Sequence, residues 1–63
     1  APQWAPDGSA VAVLVSNSAT GWVEVFNART GVIIYSSEPE TYEFTWEPDS
    51  TSLRFGSRVI RLP

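Results

Sequence analysis

The chain has no cysteine, no histidine, no lysine and no methionine among its 63 residues. Without cysteine there is no disulfide framework to staple a small fold and no thiol chemistry. Without cysteine or histidine, a zinc site would rest on carboxylates alone, a donor set that zinc sites avoid, so no metal is expected. The usual general bases and activated nucleophiles vanish with the same residues. Long apolar runs are also missing. The longest is Ala10–Val15, far short of the ~20 residues a helix needs to cross a bilayer, and no basic stretch precedes an apolar one as in a signal peptide. Positive charge is scarce: four Lys+Arg against seven Asp+Glu give a net charge of −3, which argues against a general nucleic-acid binder.

A hydrophobic fraction of 43% with so small a net charge is the composition of a folded domain. A single domain over residues 1–63 is expected. So short a chain buries only about 60% of the surface its unfolded form exposes. With no metal or disulfide to compensate, association with a neighbour is a natural source of further stability.

Residues with strand preference alternate with turn residues throughout, and nowhere is there helical periodicity. Ala10–Val15 is rich in valine and reads as a strand covered on both faces. Pro6-Asp7-Gly8 before it is a turn in which Pro fixes φ, Asp bonds its own backbone and Gly accepts φ > 0. Trp22–Phe26 is a second strand, followed by a short connection ending in Gly31, and Val32–Tyr35 is a third. A loop containing Pro39 redirects the chain. Tyr42–Trp46 alternates aromatic and polar, which puts Tyr42, Phe44 and Trp46 on one core face. Thr51–Phe55 and Arg58–Leu62, joined at Gly56-Ser57, complete six short strands. The fold class is all-β: an antiparallel meander, with a small closed barrel or sandwich as the alternative.

The chain also repeats itself. Trp4-Ala5-Pro6-Asp7-Gly8 recurs 42 residues on as Trp46-Glu47-Pro48-Asp49-Ser50. Val11 then aligns with Leu53, Val13 with Phe55, and, after a shorter loop, Val23–Phe26 with Val59–Leu62. A period near 40–45 residues with about four strands per unit marks a propeller blade. Residues 1–37 form a first blade-like repeat and 42–63 a partial second. The Trp-x-Pro-Asp-Gly element followed by an apolar strand resembles the WD40-like repeat of TolB-type β-propellers. Gly21–Gly31, an alternating strand closed by a Thr-Gly turn, resembles the last hairpin of a WD40 blade. Phe26-Asn27 stands where such blades often carry Trp-Asp, and Ser50 replaces the turn glycine. The resemblance implies a scaffold without a cofactor. One and a half repeats are too few for a ring of about 4–8 blades.

The carboxylates divide between turns and surface. Asp7 and Asp49 recur inside the turn motif, where capping accounts for them. Glu43 and Glu47 are placed on a solvated strand face rather than as the opposed acids of a glycosidase. Residues 38–49 hold five acids and no base, whereas residues 50–63 hold Arg54, Arg58 and Arg61 and no acid. Neighbouring strands can pair these charges, and a partner can meet them. The expected function is binding, not catalysis. The first reading is a protein–protein interaction module that associates with itself or with a larger assembly. Trp22, Arg54, Arg58 and Arg61 are its contact residues, and Trp4, Asp7, Gly8, Gly31, Phe44, Trp46 and Asp49 hold its structure. The alternatives are a structural β subunit of the virion or envelope decoration type and, more weakly, a carbohydrate-binding domain using Trp22.

Overall fold

A computed structural model describes residues 2–63. Its architecture is all-β and antiparallel, with a four-stranded sheet in the order β1-β2-β3-β4 and a three-stranded sheet in the order β5-β6-β7. The strands are β1 Gln3–Trp4, β2 Ala10–Ser16, β3 Gly21–Asn27, β4 Ile33–Ser36, β5 Thr45–Trp46, β6 Ser52–Phe55 and β7 Arg58–Arg61. Each sheet is a meander in which chain neighbours pair.

Seven strands replace the expected six, because Gln3 and Trp4 pair with Ala12 and Val11. The expected single meander divides at residues 37–44. There the chain stays docked along β3 through Ser37 N–H to the Val23 carbonyl and Thr41 N–H to the Gly21 carbonyl. Between these two bonds it bends at Glu40, whose φ is +64°, and after Thr41 it leaves β3. This detour also shortens the expected Tyr42–Trp46 strand to Thr45–Trp46. Tyr42 is 56% exposed rather than in the core. Its ring lies against Gly21, where an added Cβ would meet Tyr42 Cε1 at 2.9 Å.

The core lies between the sheets. The four-stranded sheet contributes Ala10, Ala12, Val23 and Val25, the turn contributes Ala5, and the three-stranded sheet contributes Leu53, all buried. Trp46 and Phe55 of the second sheet and the flanking Phe44 and Leu62 pack against this cluster, as do Leu14, Ile34 and Tyr35 of the first. Period-2 alternation explains the selection. In β2 and β3, Ala12 pairs with Val25 and Leu14 with Val23 on the inner face, whereas Val11 pairs with Phe26 and Val13 with Glu24 on the outer. Ala10–Val15 is therefore covered on one face only, since Val11, Val13 and Val15 are half-buried.

The repeat is a structural one. Trp4 pairs with Val11 in the first sheet and Trp46 with Leu53 in the second, the same register 42 residues on. The turns share their closing backbone bond. Gly8 N–H donates to the Ala5 carbonyl at 2.9 Å and Ser50 N–H to the Glu47 carbonyl at 3.1 Å. The third strands align two residues away from the sequence expectation. Val11 pairs with Phe26 and Leu53 with Ile60, so Val25–Asn27 corresponds to Val59–Arg61. The slip is even, so every side chain keeps its face. The tight Phe55–Arg58 hairpin accounts for it: Gly56, at φ +65°, takes the first central position, where the first repeat has the longer Asn17–Thr20 loop.

Candidate functional site

The turn motif is the most heavily bonded polar feature. Asp7 Oδ1 accepts from Ser9 N–H at 2.9 Å, and Asp49 Oδ1 accepts from Thr51 N–H at 2.9 Å and Ser52 N–H at 3.1 Å. The Ser9 hydroxyl and then its backbone N–H hold Asp7 below the ordinary carboxylate range. For Asp49 the Thr51 N–H is the main cause of the same shift. Both effects follow from hydrogen bonds to the charged form. Gly8 and Gly31 adopt φ of +77° and +75°. Gly31 N–H returns to the Asn27 carbonyl at 2.8 Å, closing the β3–β4 connection. The two turns also touch each other: Asp7 N–H donates to Ser50 Oγ at 3.1 Å. Trp46 Nε1 donates to the Gln3 carbonyl at 2.9 Å, a second link between the repeats.

The four expected contact residues fall on three surfaces. Arg54 and Arg61 share the outward face of the second sheet, since Ser52 pairs with Arg61 and Arg54 with Val59. Arg58 pairs with Phe55 and so lies on the opposite face. Trp22 lies on the outward face of the first sheet, where its Nε1 donates to Glu24 Oε2 at 3.0 Å. Arg54 Nε is bonded to Glu47 Oε1 at 2.7 Å, which is the neighbouring-strand pairing expected from the charge pattern. Phe44 and Trp46 are half-buried against the core. Trp4, expected as an anchor, is instead 60% exposed, because among the described residues no sheet lies over the first sheet's outward face.

That outward face is apolar over much of its width. A row runs across all four strands: Trp4 beside Val11, Val11 beside Phe26, and Phe26 beside Ile33. Ile33 is 51% exposed, and Val32 next to it 60%. Val13, Val15 and Trp22 flank the row, half-buried by one another. Of these, Val11, Phe26 and Ile33 were not among the expected contact residues. The signal was present in the alternation, because Val11, Val13 and Val15 share one parity, as do Trp22 and Phe26.

An open cleft of about 510 Å³ lies at one end of the molecule, with Leu14, Tyr42, Glu43, Phe44 and Arg54 in its wall. Its charged side chains are Glu43 and Arg54, and the second already has a partner. Trp22 does not line it. Among the described residues no group of three or more His, Cys, Asp or Glu could hold a metal ion, and no helix is long and apolar enough to cross a membrane. Comparison with family models, with curated proteins and with solved structures finds no match.

Proposed function

We propose that the chain is a non-catalytic protein–protein interaction module. It is built from two repeats of the propeller-blade type, one of four strands and one of three. A protein partner covers the apolar face that these two repeats leave exposed. The observation that carries this reading is the outward row Trp4, Val11, Phe26 and Ile33. Two of its members are more than half exposed, and such a patch on a small monomer marks an interaction site. The sequential order of strands within each sheet and the shared register of the repeats support the blade-like reading.

Site-specific photocrosslinking in the cells that make the protein tests it. A crosslinking residue in place of Trp4 is expected to give a discrete protein adduct, and one in place of Thr45, on the second sheet's outward side, is not. No adduct from the Trp4 position, or equal adducts from both, would refute the reading.

A further inference from the structure

The internal repeat offers a way to ask what fits on the exposed face. Trp4, Val11 and Phe26 occupy the same three repeat positions as Trp46, Leu53 and Ile60, by register. Their surroundings differ. Leu53 is fully buried and Trp46 half-buried in the cluster with Ala5, Ala10, Ala12, Val23 and Val25, the small-residue face of the first repeat. Trp4 and its row have no such cover. The two repeats thus pack head to tail, the aromatic face of the second on the small-residue face of the first. Such heterologous contacts extend in one direction.

The far end of this two-layer stack is closed chemically. The positions that are buried Ala5 and Ala12 in the first repeat are Glu47 and Arg54 in the second, and the Asn27 position is Arg61. Glu47 and Arg54 form an ion pair on this outward side. A polar outer face is how a stack of repeats is terminated. One end therefore sets Glu47, Arg54 and Arg61 around Val59, while the other sets Trp4, Val11, Phe26 and Ile33 in a row beside Glu24.

We infer that the outward face of the four-stranded sheet is the docking surface for one further repeat of the same kind, one that presents alanine and valine at the positions of Ala5, Ala10, Ala12 and Val25. This rests on the interaction-module reading and names the partner's chemistry. The contact seen between the two repeats is its template: small side chains leave room for Trp4 and Val11, as they do for Trp46 and Leu53. A second natural copy cannot repeat this head-to-tail contact. Its small-residue face is already covered, and the outward face of its second sheet would press Glu47, Arg54 and Arg61 onto Trp4 and Phe26, stripping water from charged groups.

The test gives the second copy the missing face. The variant Glu47→Ala, Arg54→Ala, Arg61→Asn rebuilds the small-residue pattern on the second sheet's outward side. In sedimentation velocity at several concentrations, the natural chain is expected at its monomer mass of 6.9 kDa. The triple variant is expected to at least double that mass, and adding Phe26→Asp is expected to return it to monomer. Circular dichroism checks the fold of each. If the triple variant does not fold, Glu47→Ala, Arg54→Ala serves in its place. A folded variant that remains monomeric overturns the inference, as does association that Phe26→Asp leaves intact. Self-association of the natural chain through Phe26 also overturns it, by making a second copy the occupant, while the broader interaction reading stands. The absence of any Trp4 adduct in the crosslinking experiment would instead remove that reading.

Discussion

Ser50 sits where the first repeat has Gly8, and replacing it separates two opposing effects. Its φ is +62°, a left-handed conformation that costs an L-residue about 1–2 kcal/mol. Its hydroxyl accepts from Asp7 N–H, a bond that contributes about 1 kcal/mol net. Ser50→Gly relieves the backbone and loses the bond, so its stability should lie within about 1 kcal/mol of the natural chain. Ser50→Ala loses the same bond, keeps the strained backbone and leaves a 7% exposed site without its hydroxyl. It should be less stable than the natural chain and less stable than Ser50→Gly, in the second case by about 1 kcal/mol. In so small a domain that difference separates the two melting temperatures by roughly 4–8 °C. Urea unfolding followed by tryptophan fluorescence, with equal slopes, reads the difference directly. Equal stability of the Ala and Gly variants would refute the strain. A Gly variant well above the natural chain would refute any contribution from the inter-turn bond.

Leu53→Ala removes a fully buried side chain from the seam between the sheets. Its cost of about 2–5 kcal/mol approaches the roughly 3–9 kcal/mol available to a chain of this length, so the thermal transition should fall steeply or disappear; a shift of only a few degrees would mean the sheets do not dock through this residue. Gly21→Ala should force the Tyr42 ring away and cost on the order of 1 kcal/mol, a loss that a Tyr42→Ala background should largely remove; additive effects would deny the contact. Asp7 and Asp49 have lowered folded-state pKa values, so their stabilisation is present above the ordinary aspartate pKa near about 4 and is lost as pH falls through the lower folded values. Melting temperature should therefore drop on acidification through that range, and the drop should be shallower in Asp7→Asn, Asp49→Asn, whereas parallel profiles would contradict the turn geometry. Arg54→Ala breaks a surface pair whose arginine side chain is 46% exposed, and should change stability by less than about 1 kcal/mol, as chemical denaturation would show.

The local features were legible because they depend on neighbours in sequence. Pro6-Asp7-Gly8 and its copy carry their own turn chemistry, and the alternation in Trp22–Phe26 specifies a strand whatever it packs on. Tertiary features were not. Tyr42 has the parity of Phe44 and Trp46, yet the chain leaves strand geometry at Glu40 and the ring ends beside Gly21, a contact invisible in a one-dimensional pattern. The two-residue shift between the third strands was hidden because both alignments keep side-chain parity and only the hairpin length separates them. Trp4 was misplaced for a related reason. Repeat equivalence shows which face a side chain is on, and only the stacking order of the sheets shows whether that face is covered. The same missing information scattered Trp22, Arg54, Arg58 and Arg61 over three surfaces.

Every strand pair in the molecule joins neighbours along the chain, whereas the bonds from Asp7 to Ser50 and from Trp46 to Gln3 each span 43 positions. Local pairings form fast and distant ones slowly. Each meander can zip up on the timescale of hairpin formation, but bringing them together closes a long loop at an entropic cost of about 3 kcal/mol. Docking is then the late step of folding, and the seam around Leu53 is the first place the native molecule opens. Since no ladder hydrogen bond crosses that seam among the described residues, the second sheet can leave its own partner intact and settle against the first sheet of another molecule. The segment between Thr41 and Thr45 becomes a hinge, and exchange of sheets between molecules is the failure route this fold carries at high concentration.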